Sequence, residues 1–267
     1  MGKVVLITGA SSGIGLETAR LFAAKGWKVF ATMRHPPSDS PLYSLENVEI
    51  ARLDVLDTKS IASAISLANK KYGRIDVLVN NAGYGLVGPV EGATRQQISQ
   101  QAETNLVGLI DVTRQVLPFM RAQKSGAIVN VSSMGGRVVF PLYSMYHATK
   151  FGVEGFTESL AFELEPFGIK VRLIEPGMID TDFYSRSMSV VSHPAYSKYE
   201  KKALGDMHGR PGRTKLAQVA QAIYSAATDK GSRLRYPVGS DAMLLLALKQ
   251  LLPGRIYGWV FKKLVFR

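Results

Sequence analysis

The chain has 267 residues, of which 46% are hydrophobic and 20% are charged, a composition typical of a globular protein. It has no cysteine, which excludes disulfides and thiolate chemistry, and its four scattered histidines argue against a metal site. No apolar run approaches the roughly 20 residues that a bilayer-spanning helix needs, and the first residues lack the pattern of a signal peptide. We therefore expect a cytoplasmic protein.

Charge is distributed unevenly along the chain. The formal net charge is +12, with a balance of +2 over residues 1–200 and +10 over residues 201–267. A basic segment suits nucleic acid, an anionic membrane surface or a phosphate group, and it is also typical of a plain solvated surface. Because the sequence has no zinc finger, RNA-binding motif or helix-turn-helix pattern, we expect no nucleic-acid partner.

Short apolar, β-branched runs alternate along the chain with longer helical patterns. The predicted strands are Lys3–Thr8, Lys28–Thr32, Val48–Leu53, Ile75–Asn80, Ala127–Val131, Lys170–Ile174 and Leu234–Val238. The predicted helices are Gly13–Lys25, Thr58–Lys71, Thr94–Ala122, Tyr143–Glu165 and Thr214–Thr228. Nearly continuous apolar strands separated by helices predict an α/β fold, a doubly wound parallel sheet of the Rossmann type with helices on both faces.

We expect a single domain over residues 1–267, with two segments that depart from the alternation. Residues 180–213 have weak periodicity, and we interpret them as an excursion near the substrate that is helical in places and mobile. Residues 241–267 form an apolar and basic C-terminal extension.

A glycine-rich turn follows the first predicted strand. Gly9, Gly13 and Gly15 have the spacing Gly-x-x-x-Gly-x-Gly and lead into a predicted helix. Glycines permit a tight turn and a close approach of ligand to backbone, and the helix N-terminus offers free N–H groups to a phosphate. The turn therefore predicts a phosphate-binding site, with a plain strand-to-helix turn as the alternative.

Six features in order resemble those of the short-chain dehydrogenase/reductase family, in its hydroxysteroid and retinol dehydrogenase branch. They are Thr8-Gly9-Ala10-Ser11-Ser12-Gly13-Ile14-Gly15, Asn80-Asn81-Ala82-Gly83, Asn105, Ser133, Tyr146-x-x-x-Lys150 and Pro176-Gly177. The resemblance covers about residues 3–185 and extends to acyl-dihydroxyacetone-phosphate reductases. It implies an oxidoreductase that moves a hydride between a nicotinamide and a carbonyl or alcohol. The alternative is a non-catalytic protein that senses NADP(H).

The resemblance implies a catalytic set of Asn105, Ser133, Tyr146 and Lys150. Tyr146 would give or take the proton, Ser133 would hold the substrate oxygen, and Asn105 would hold a water that links Lys150 to solvent. Tyr146 and Lys150 are four residues apart on a predicted helix and therefore share one face. A tyrosine ordinarily has a pKa of about 10, and a nearby ammonium group lowers it. Ser132 is the alternative to Ser133, which the 13-residue separation from Tyr146 favours.

The resemblance also implies a set of cofactor contacts. Asp54 would lie near the adenine, and residues 81–83 would lie along its ribose. The whole set is Gly9, Ser11, Ser12, Gly13, Ile14, Gly15, Arg34, Asp54, Asn81, Ala82, Gly83, Tyr146, Lys150, Pro176, Gly177, Ile179 and Thr181. For Asp54 the alternative is a helix N-terminal carboxylate ahead of Thr58.

The end of the second predicted strand indicates the cofactor. An NAD enzyme tends to have an acidic residue here, which binds the ribose 2′-OH. This chain has Met33 followed by Arg34, and a planar guanidinium suits a 2′-phosphate. We therefore predict NADP(H), with a plain surface role for Arg34 as the alternative.

The residues expected around the substrate are mostly apolar or aromatic, which suits a small hydrophobic molecule such as a steroid, retinoid or acyl lipid. They are Ser133, Val139, Phe140, Tyr143, Met178, Phe183 and Tyr184, with Leu142 and Met188 nearby. Ordinary core packing is the alternative for about half of them.

The C-terminal segment Arg255–Arg267 has a helical stripe of apolar residues opposite basic ones. The stripe consists of Ile256, Tyr257, Val260, Phe261, Leu264 and Val265. Such a helix could lie on a membrane surface, cover the substrate pocket or join subunits. We expect a homo-oligomer, because the helices Thr94–Ala122 and Tyr143–Glu165 are long enough to pair between subunits.

Overall fold

The computed structural model describes residues 2–180, 188–201, 214–256, 258, 259 and 263. The strands are β1 (Val4–Thr8), β2 (Lys28–Met33), β3 (Val48–Arg52), β4 (Val77–Asn80), β5 (Gly85–Val87), β6 (Gly126–Val131), β7 (Ile169–Pro176), β8 (Ile179–Asp180), β9 (Met188–Val190), β10 (Thr214–Lys215) and β11 (Arg235–Val238). The helices are α1 (Gly13–Ala24), α2 (Thr58–Tyr72), α3 (Arg95–Ala102), α4 (Gly108–Gln123), α5 (Ser144–Leu164), α6 (Leu216–Thr228) and α7 (Ser240–Leu251).

Seven of these strands form one parallel sheet in the order β3-β2-β1-β4-β6-β7-β11. Alternate residues of the central strands face opposite sides. Ile7 of β1 packs in a cluster with Phe22 of α1 and Ile223 of α6, whereas Leu6 packs with Ile61 of α2 and Val112 of α4. The two buried clusters, one on each face, confirm the predicted doubly wound fold in a single Rossmann-type domain.

The strand order reverses direction at β1. From β1 the chain extends to β2 and β3 on one side, and β4, β6 and β7 lie on the other side. In open α/β sheets a crevice forms at such a reversal, at the carboxyl ends of the strands, and ligands bind there. The glycine turn after β1 and the motif after β4 both lie at this crevice.

The predicted helix Thr94–Ala122 is interrupted by a π-helical segment, Glu103–Val107, between α3 and α4. Thr94 caps the start of α3 in a capping box with Gln97. Single π turns inside α-helices occur frequently at functional sites, and this one contains Asn105. The sequence pattern indicated a helix here and could not reveal the change of hydrogen-bond spacing.

Within residues 180–213 the described parts contain short strands, which the sequence did not predict, as well as helix. β9 pairs with β5, with Gly85 opposite Met188, and β8 pairs with β10. Residues 194–201 are helical and begin with the short 3-10 helix Pro194–Tyr196, which matches the expectation of helix in places. Residues 181–187 and 202–213 lie outside the described residues, and the expected mobility of this segment stays a prediction.

The C-terminal extension begins with α7, which packs through Ala242 and Leu246 onto Met134 and Val138. Tyr257, Val260, Phe261, Leu264 and Val265 of the predicted stripe lie outside the described residues. Over the described ranges, every helix is too short or too polar to cross a bilayer.

Candidate active site

The glycine turn requires glycine at two positions for different reasons. Gly9 has φ +69°, a left-handed conformation that L side chains rarely adopt, and a Cβ there would lie 2.9 Å from the Ala82 Cα atom. A Cβ on Gly15 would overlap the Gly9 carbonyl oxygen and would lie 2.6 Å from the Asn81 Nδ2 atom. Gly15 therefore lets α1 pack directly against the turn.

Hydrogen bonds join the turn after β1 to the segment after β4. The Asn81 Nδ2 group donates to the carbonyl oxygens of Thr8 and Gly9, at 2.9 and 3.0 Å. The Thr8 Oγ1 atom accepts from the backbone N–H groups of Asn81 and Ala82, at 3.0 and 3.1 Å. The Asn81 side chain thus holds the turn in place.

The N-terminus of α1 opens into the crevice. Ser12 is its N-cap, but the Ser12 side chain makes no capping hydrogen bond to the helix. Gly13 has φ +55°, and the space in which its side chain would lie is open. The first N–H groups of α1, with the partial positive charge of the helix, therefore favour an anion at this end of the crevice.

The crevice is a cleft of about 770 Å³ that reaches from the glycine turn to α5. The predicted cofactor residues that line it are Gly9, Ser11, Ser12, Gly13, Ile14, Arg34, Asp54, Asn81, Ala82, Gly83, Tyr146, Lys150, Pro176, Gly177 and Ile179. Gly15 packs behind the turn instead, so direct contact of Gly15 with a ligand is not supported. Thr181 lies outside the described residues.

Asp54 and Arg34 lie at the cleft wall as expected. The N-cap of α2 is Asp57, whose Oδ1 atom accepts from Lys59 and Ser60 at 3.0 and 3.1 Å. The alternative of Asp54 as the helix cap is therefore wrong. Arg34 is exposed immediately after β2, whereas the neighbouring Met33 side chain is buried.

Ser133, Tyr146 and Lys150 all line the same cleft. The Lys150 Nζ atom lies 5.8 Å from the centroid of the Tyr146 ring and donates a 2.9 Å hydrogen bond to the Val131 carbonyl. Burial lowers the pKa of Lys150 to about 8, and the negative charge of Glu154 opposes this fall. Tyr146 and Lys150 therefore share one face of α5.

Ser133 and Ser132 point to different surroundings. The Ser133 Oγ atom accepts a 3.0 Å hydrogen bond from the Gly135 N–H and keeps its own proton to donate. The Ser132 Oγ atom is fully buried. The structure therefore favours Ser133 over Ser132 as the group that holds a substrate oxygen.

Asn105 is buried behind the cleft wall, and its amide is used within the protein. Its Oδ1 atom accepts from the Tyr84 N–H at 3.0 Å, and its Nδ2 atom donates to the Tyr84 carbonyl at 2.8 Å and to Thr149 Oγ1 at 3.3 Å. These bonds join the π-helical segment to α5 and to the chain after β4. The role of Asn105 in holding a water stays a prediction.

Phe140, Tyr143 and Met178, three of the residues expected around the substrate, line the cleft. Val139 is 45% exposed and lies outside the cleft lining, so its placement at the substrate was wrong. Its neighbour Phe140 lines the cleft instead. Phe183 and Tyr184 lie outside the described residues.

Sequence reasoning missed His147, which also lines the cleft. Its Nε2 atom accepts from the Phe140 N–H and its Nδ1 atom meets the Gly135 carbonyl, both at 2.7 Å. The ring is therefore neutral with its proton on Nδ1, and burial holds the pKa of His147 below its ordinary value. A lone histidine after Tyr146 gave no signal, because its two partners come from the loop before α5.

A glycine turn at the sheet reversal, in one cleft with a serine, a tyrosine and a lysine, is the arrangement of a nucleotide-binding α/β protein. Comparison with known proteins agrees. The family model of the short chain dehydrogenase matches residues 3–189. The uncharacterized oxidoreductase YusZ of Bacillus subtilis is 40% identical over 283 residues, covering 99% of each chain.

Two further relatives match about two thirds of the chain. The 3-ketodihydrosphingosine reductase of Bacteroides thetaiotaomicron is 41% identical over 181 residues, which are 68% of this chain and 65% of that protein. The 17-beta-hydroxysteroid dehydrogenase type 1 of Mus musculus is 40% identical over 194 residues, which are 68% of this chain and 56% of that protein.

Solved structures show the same architecture. A short-chain dehydrogenase from Streptomyces avermitilis superposes with a TM-score of 0.85 at 35% identity, covering 99% of this chain and 97% of that chain. ElxO with NADP bound superposes with a TM-score of 0.78 at 29% identity, covering 91% of this chain and 100% of that chain. The chain therefore belongs to the short-chain dehydrogenase family of oxidoreductases.

Proposed function

We propose that this chain is an NADP(H)-dependent oxidoreductase that moves a hydride between the nicotinamide and a carbonyl or alcohol carbon of a hydrophobic substrate. The observation that carries the proposal is the convergence of Ser133, Tyr146 and Lys150 with the glycine turn in one cleft. The glycine turn lies more than 115 positions before Ser133, Tyr146 and Lys150 in the chain, and such distant segments have little reason to meet at a sheet reversal unless a ligand is bound there.

The cleft fits a phosphorylated dinucleotide. The N-terminus of α1, where Ser12 makes no side-chain capping bond, suits a pyrophosphate, and the open space at Gly13 would admit the ligand close to the backbone. Arg34 follows β2 at the cleft wall, where its guanidinium suits a 2′-phosphate, and the acidic residue typical of NAD enzymes is replaced by Met33. The NADP complex of ElxO, a structure of the same fold, supports the same choice.

The bound nicotinamide would supply the hydride in the reducing direction or accept it in the oxidising direction. In reduction, the Tyr146 phenol donates its proton to the carbonyl oxygen as the carbon gains the hydride, which yields a neutral alcohol. Ser133 holds that oxygen through its hydroxyl proton. Lys150 stabilises the phenolate that remains on Tyr146 until solvent restores the proton.

The substrate end favours a hydrophobic molecule. Phe140, Tyr143, Met178 and Met188 line it, and such a wall with few polar groups suits a steroid, retinoid or long-chain lipid. The names of two relatives, a 3-ketodihydrosphingosine reductase and a 17-beta-hydroxysteroid dehydrogenase, support a lipid-like carbonyl.

The first test is turnover with a panel of ketosteroids, retinal and acylated ketones, followed by the absorbance of NADPH. We expect NADPH consumption with at least one member and a higher kcat/KM with NADPH than with NADH. Equal or better use of NADH would refute the cofactor assignment. Tight NADPH binding with no turnover of any carbonyl would favour the non-catalytic sensor instead.

The second test is Tyr146→Phe, which removes the proton donor and preserves the ring. We expect turnover to fall by about 10³-fold or more, the scale of a lost general acid, with NADPH affinity nearly unchanged. Tyr224→Phe is the control, because Tyr224 on α6 packs beside Phe22 and Trp27 away from the cleft, and it should keep wild-type turnover. Substantial turnover by Tyr146→Phe would show that the mechanism is wrong.

A further inference from the structure

A buried charged cluster lies behind the catalytic face of α5. Glu154 follows Lys150 by one helical turn, and its Oε2 atom lies 3.2 Å from the Arg235 Nε atom on β11. The Oε1 atom of Glu175 on β7 lies 3.5 Å from the same nitrogen and 3.4 Å from the Arg137 Nη1 atom. The Glu154 and Glu175 side chains are 7% and 0% exposed. Two carboxylates thus meet at one guanidinium nitrogen away from solvent.

Three oxygen atoms in this cluster have no hydrogen-bond partner within the described part of the chain. They are Glu154 Oε1, Glu175 Oε2 and Ser132 Oγ, and all three are buried. Ser132 Oγ and Glu154 Cγ lie 2.7 and 2.8 Å from the position of a Cβ on Gly136, so Gly136 leaves the space that they share. Bare carboxylate oxygens are costly to bury, and a proton on one of them removes a charge and provides a donor.

The charges around Glu154 and Glu175 also favour a proton on this cluster. Burial and the negative charge of Glu154 raise the pKa of Glu175 to about 7, although Arg137 and Arg235 oppose this rise. The outer carboxylate, Glu158, lies 2.9 Å from the Arg235 Nη2 atom and is half exposed. The remaining cations that face the cluster are Lys150 on α5 and Lys249, whose charge acts on Arg137.

We propose that the buried cluster around Glu154 and Glu175 holds one proton, and that the two side chains act as positioning residues that keep Lys150 cationic beside Tyr146. When the proton leaves, the pair gains a negative charge one helical turn behind Lys150 and holds the ammonium in its charged form as pH rises. Lys150 is buried, and the negative charge of Glu154 opposes the loss of its proton. The inference rests on the proposed function for its catalytic consequence but not for the shared proton itself.

The catalytic consequence is tested by the pH profile of kcat/KM for carbonyl reduction in the full chain. Glu154→Gln should move the alkaline limb to lower pH by about half a unit to one unit, because Lys150 loses its compensating charge. Glu175→Gln should match the wild type near pH 6, where Glu175 holds its proton, and lose about 3- to 10-fold near pH 9. Glu158→Gln is the matched control, because it breaks a bond to Arg235 without removing a buried charge, and its profile should not move.

The shared proton is tested without turnover, by thermal unfolding at several pH values. A carboxyl whose folded pKa is raised makes the protein less stable as pH rises from about 4.5 to 7, because only the folded state still holds the proton. The Tm of Glu175→Gln relative to wild type should therefore increase over that range. Glu154→Gln should show the same trend and Glu158→Gln should not.

The outcomes separate the two levels of the proposal. Unchanged pH profiles in both buried variants, or an equal shift in Glu158→Gln, would overturn the positioning role. Parallel Tm curves for wild type and Glu175→Gln would overturn the shared proton. A wild-type chain without turnover would refute the proposed function, and the Tm series would still decide whether the acid pair holds a proton.

A separate feature of the structure is an exposed apolar stripe on α7. Met243, Leu244 and Leu251 are 53%, 60% and 78% exposed, and their spacing places them on the outer face of the helix. Ile256 and Trp259, which follow the helix, are 50% and 59% exposed. Surface helices normally expose polar residues, so this apolar stripe indicates a partner.

The charge next to the stripe favours an anionic partner. Residues 241–267 contain five basic residues and one acidic residue. The Lys263 Nζ atom lies 3.7 Å above the Trp259 ring, which places a cation directly at the apolar surface. The inner face of α7 packs on Met134 and Met178, which line the substrate end of the cleft.

We infer that the outer face of α7 docks on an anionic phospholipid surface, beside the end of the cleft that takes a hydrophobic substrate. The full chain should co-sediment with phosphatidylglycerol vesicles, less so with phosphatidylcholine vesicles and less at high salt. The double substitution Met243→Glu and Leu244→Glu should abolish binding. Leu67→Glu is the control, because Leu67 is 46% exposed on α2, and it should bind as the wild type does.

Retention of vesicle binding by the double variant, or no binding by the wild type, would overturn this inference. The alternative occupant of the stripe is a second copy of the chain. Light scattering on the wild type and the double variant tests it by measuring their oligomeric states. If the wild type is an oligomer that does not bind vesicles and the double variant is a monomer, the stripe is a subunit contact instead.

Discussion

The two ends of the cleft differ in whether backbone or side chains form their surface. At the cofactor end, the backbone forms the surface: the glycine turn, the open N-terminus of α1 and the segment after β4 are held by hydrogen bonds between Thr8, Gly9 and Asn81. At the substrate end, side chains form the surface, and Phe140, Met178 and Met188 come from three separate segments.

This difference determines what each end tolerates. At Gly9 and Gly15 the backbone leaves no room for an added atom, so a single methyl group there disrupts the turn. A wall of apolar side chains can repack around many shapes, and its replacement changes affinity more than it changes folding. We therefore expect substitutions at the cofactor end to act on folding and cofactor binding, and substitutions at the substrate end to act on KM.

The largest expected effect is at Gly15. Gly15→Ala should destabilise the protein by about 3 kcal/mol and abolish NADPH binding, because the added Cβ overlaps the Gly9 carbonyl and lies 2.6 Å from Asn81 Nδ2. Urea unfolding and fluorescence titration with NADPH measure both. Gly155→Ala on α5 is the control, since the space there is open and alanine favours a helix. Equal stability of the two variants would contradict the close packing of α1.

The next effect is at Arg34, which lies at the cofactor end without supporting the turn. Arg34→Glu should raise the KM for NADPH by about 10- to 100-fold, the scale of a lost charge-assisted hydrogen bond, and leave the Tm nearly unchanged. Steady-state kinetics with NADPH and NADH measure the change in preference. An unchanged ratio of the two kcat/KM values would show that Arg34 is a plain surface residue.

His147 gives the substrate end a dependence on pH. Burial lowers the pKa of His147, so the neutral ring stabilises the folded state above about pH 6.5 and that stability is lost as pH falls below it. Protonation would also break the bond from the Phe140 N–H to Nε2. We expect the substrate KM to rise between about pH 6.5 and 5 while the KM for NADPH stays constant.

The comparison for His147 is His147→Gln, which cannot titrate. Relative to wild type, the free energy of unfolding of this variant should fall less steeply between about pH 7 and 5, measured by urea unfolding. A parallel fall of both proteins would show that another group causes the dependence.

The smallest expected effects distinguish Phe140 from its chain neighbour Val139. Phe140→Ala should raise the substrate KM by about 10-fold, because it removes a ring from the cleft wall. Val139→Ala should change kinetics and Tm little, because Val139 is exposed outside the cleft. A larger effect at Val139 than at Phe140 would reverse the assignment of the wall.

The fold and the cofactor end were largely predictable from the sequence, because they depend on local patterns. Apolar runs of strand length, helical periodicity and the spacing of Gly9, Gly13 and Gly15 each reflect a constraint within a few residues. The Tyr146–Lys150 pair was predictable for the same reason, since one helical turn fixes which side chains share a face. The NADP(H) assignment stays a prediction until Arg34 is tested.

The rest depended on contacts between distant segments. Val139 and Phe140 are neighbours in the chain, and only the path of the loop decides which enters the cleft. His147, the pairing of β9 with β5, the π-helical segment and the Glu154–Glu175 pair had no local signal, because their partners are far away in sequence.

The sequence by itself thus determined the sheet, the glycine turn and the spacing of Tyr146 and Lys150, because short-range geometry sets all three. The tertiary structure alone decided which residues form the substrate wall and which charges lie behind Lys150. Both depend on long-range packing, in which a side chain's surroundings come from elements that the chain reaches only after folding.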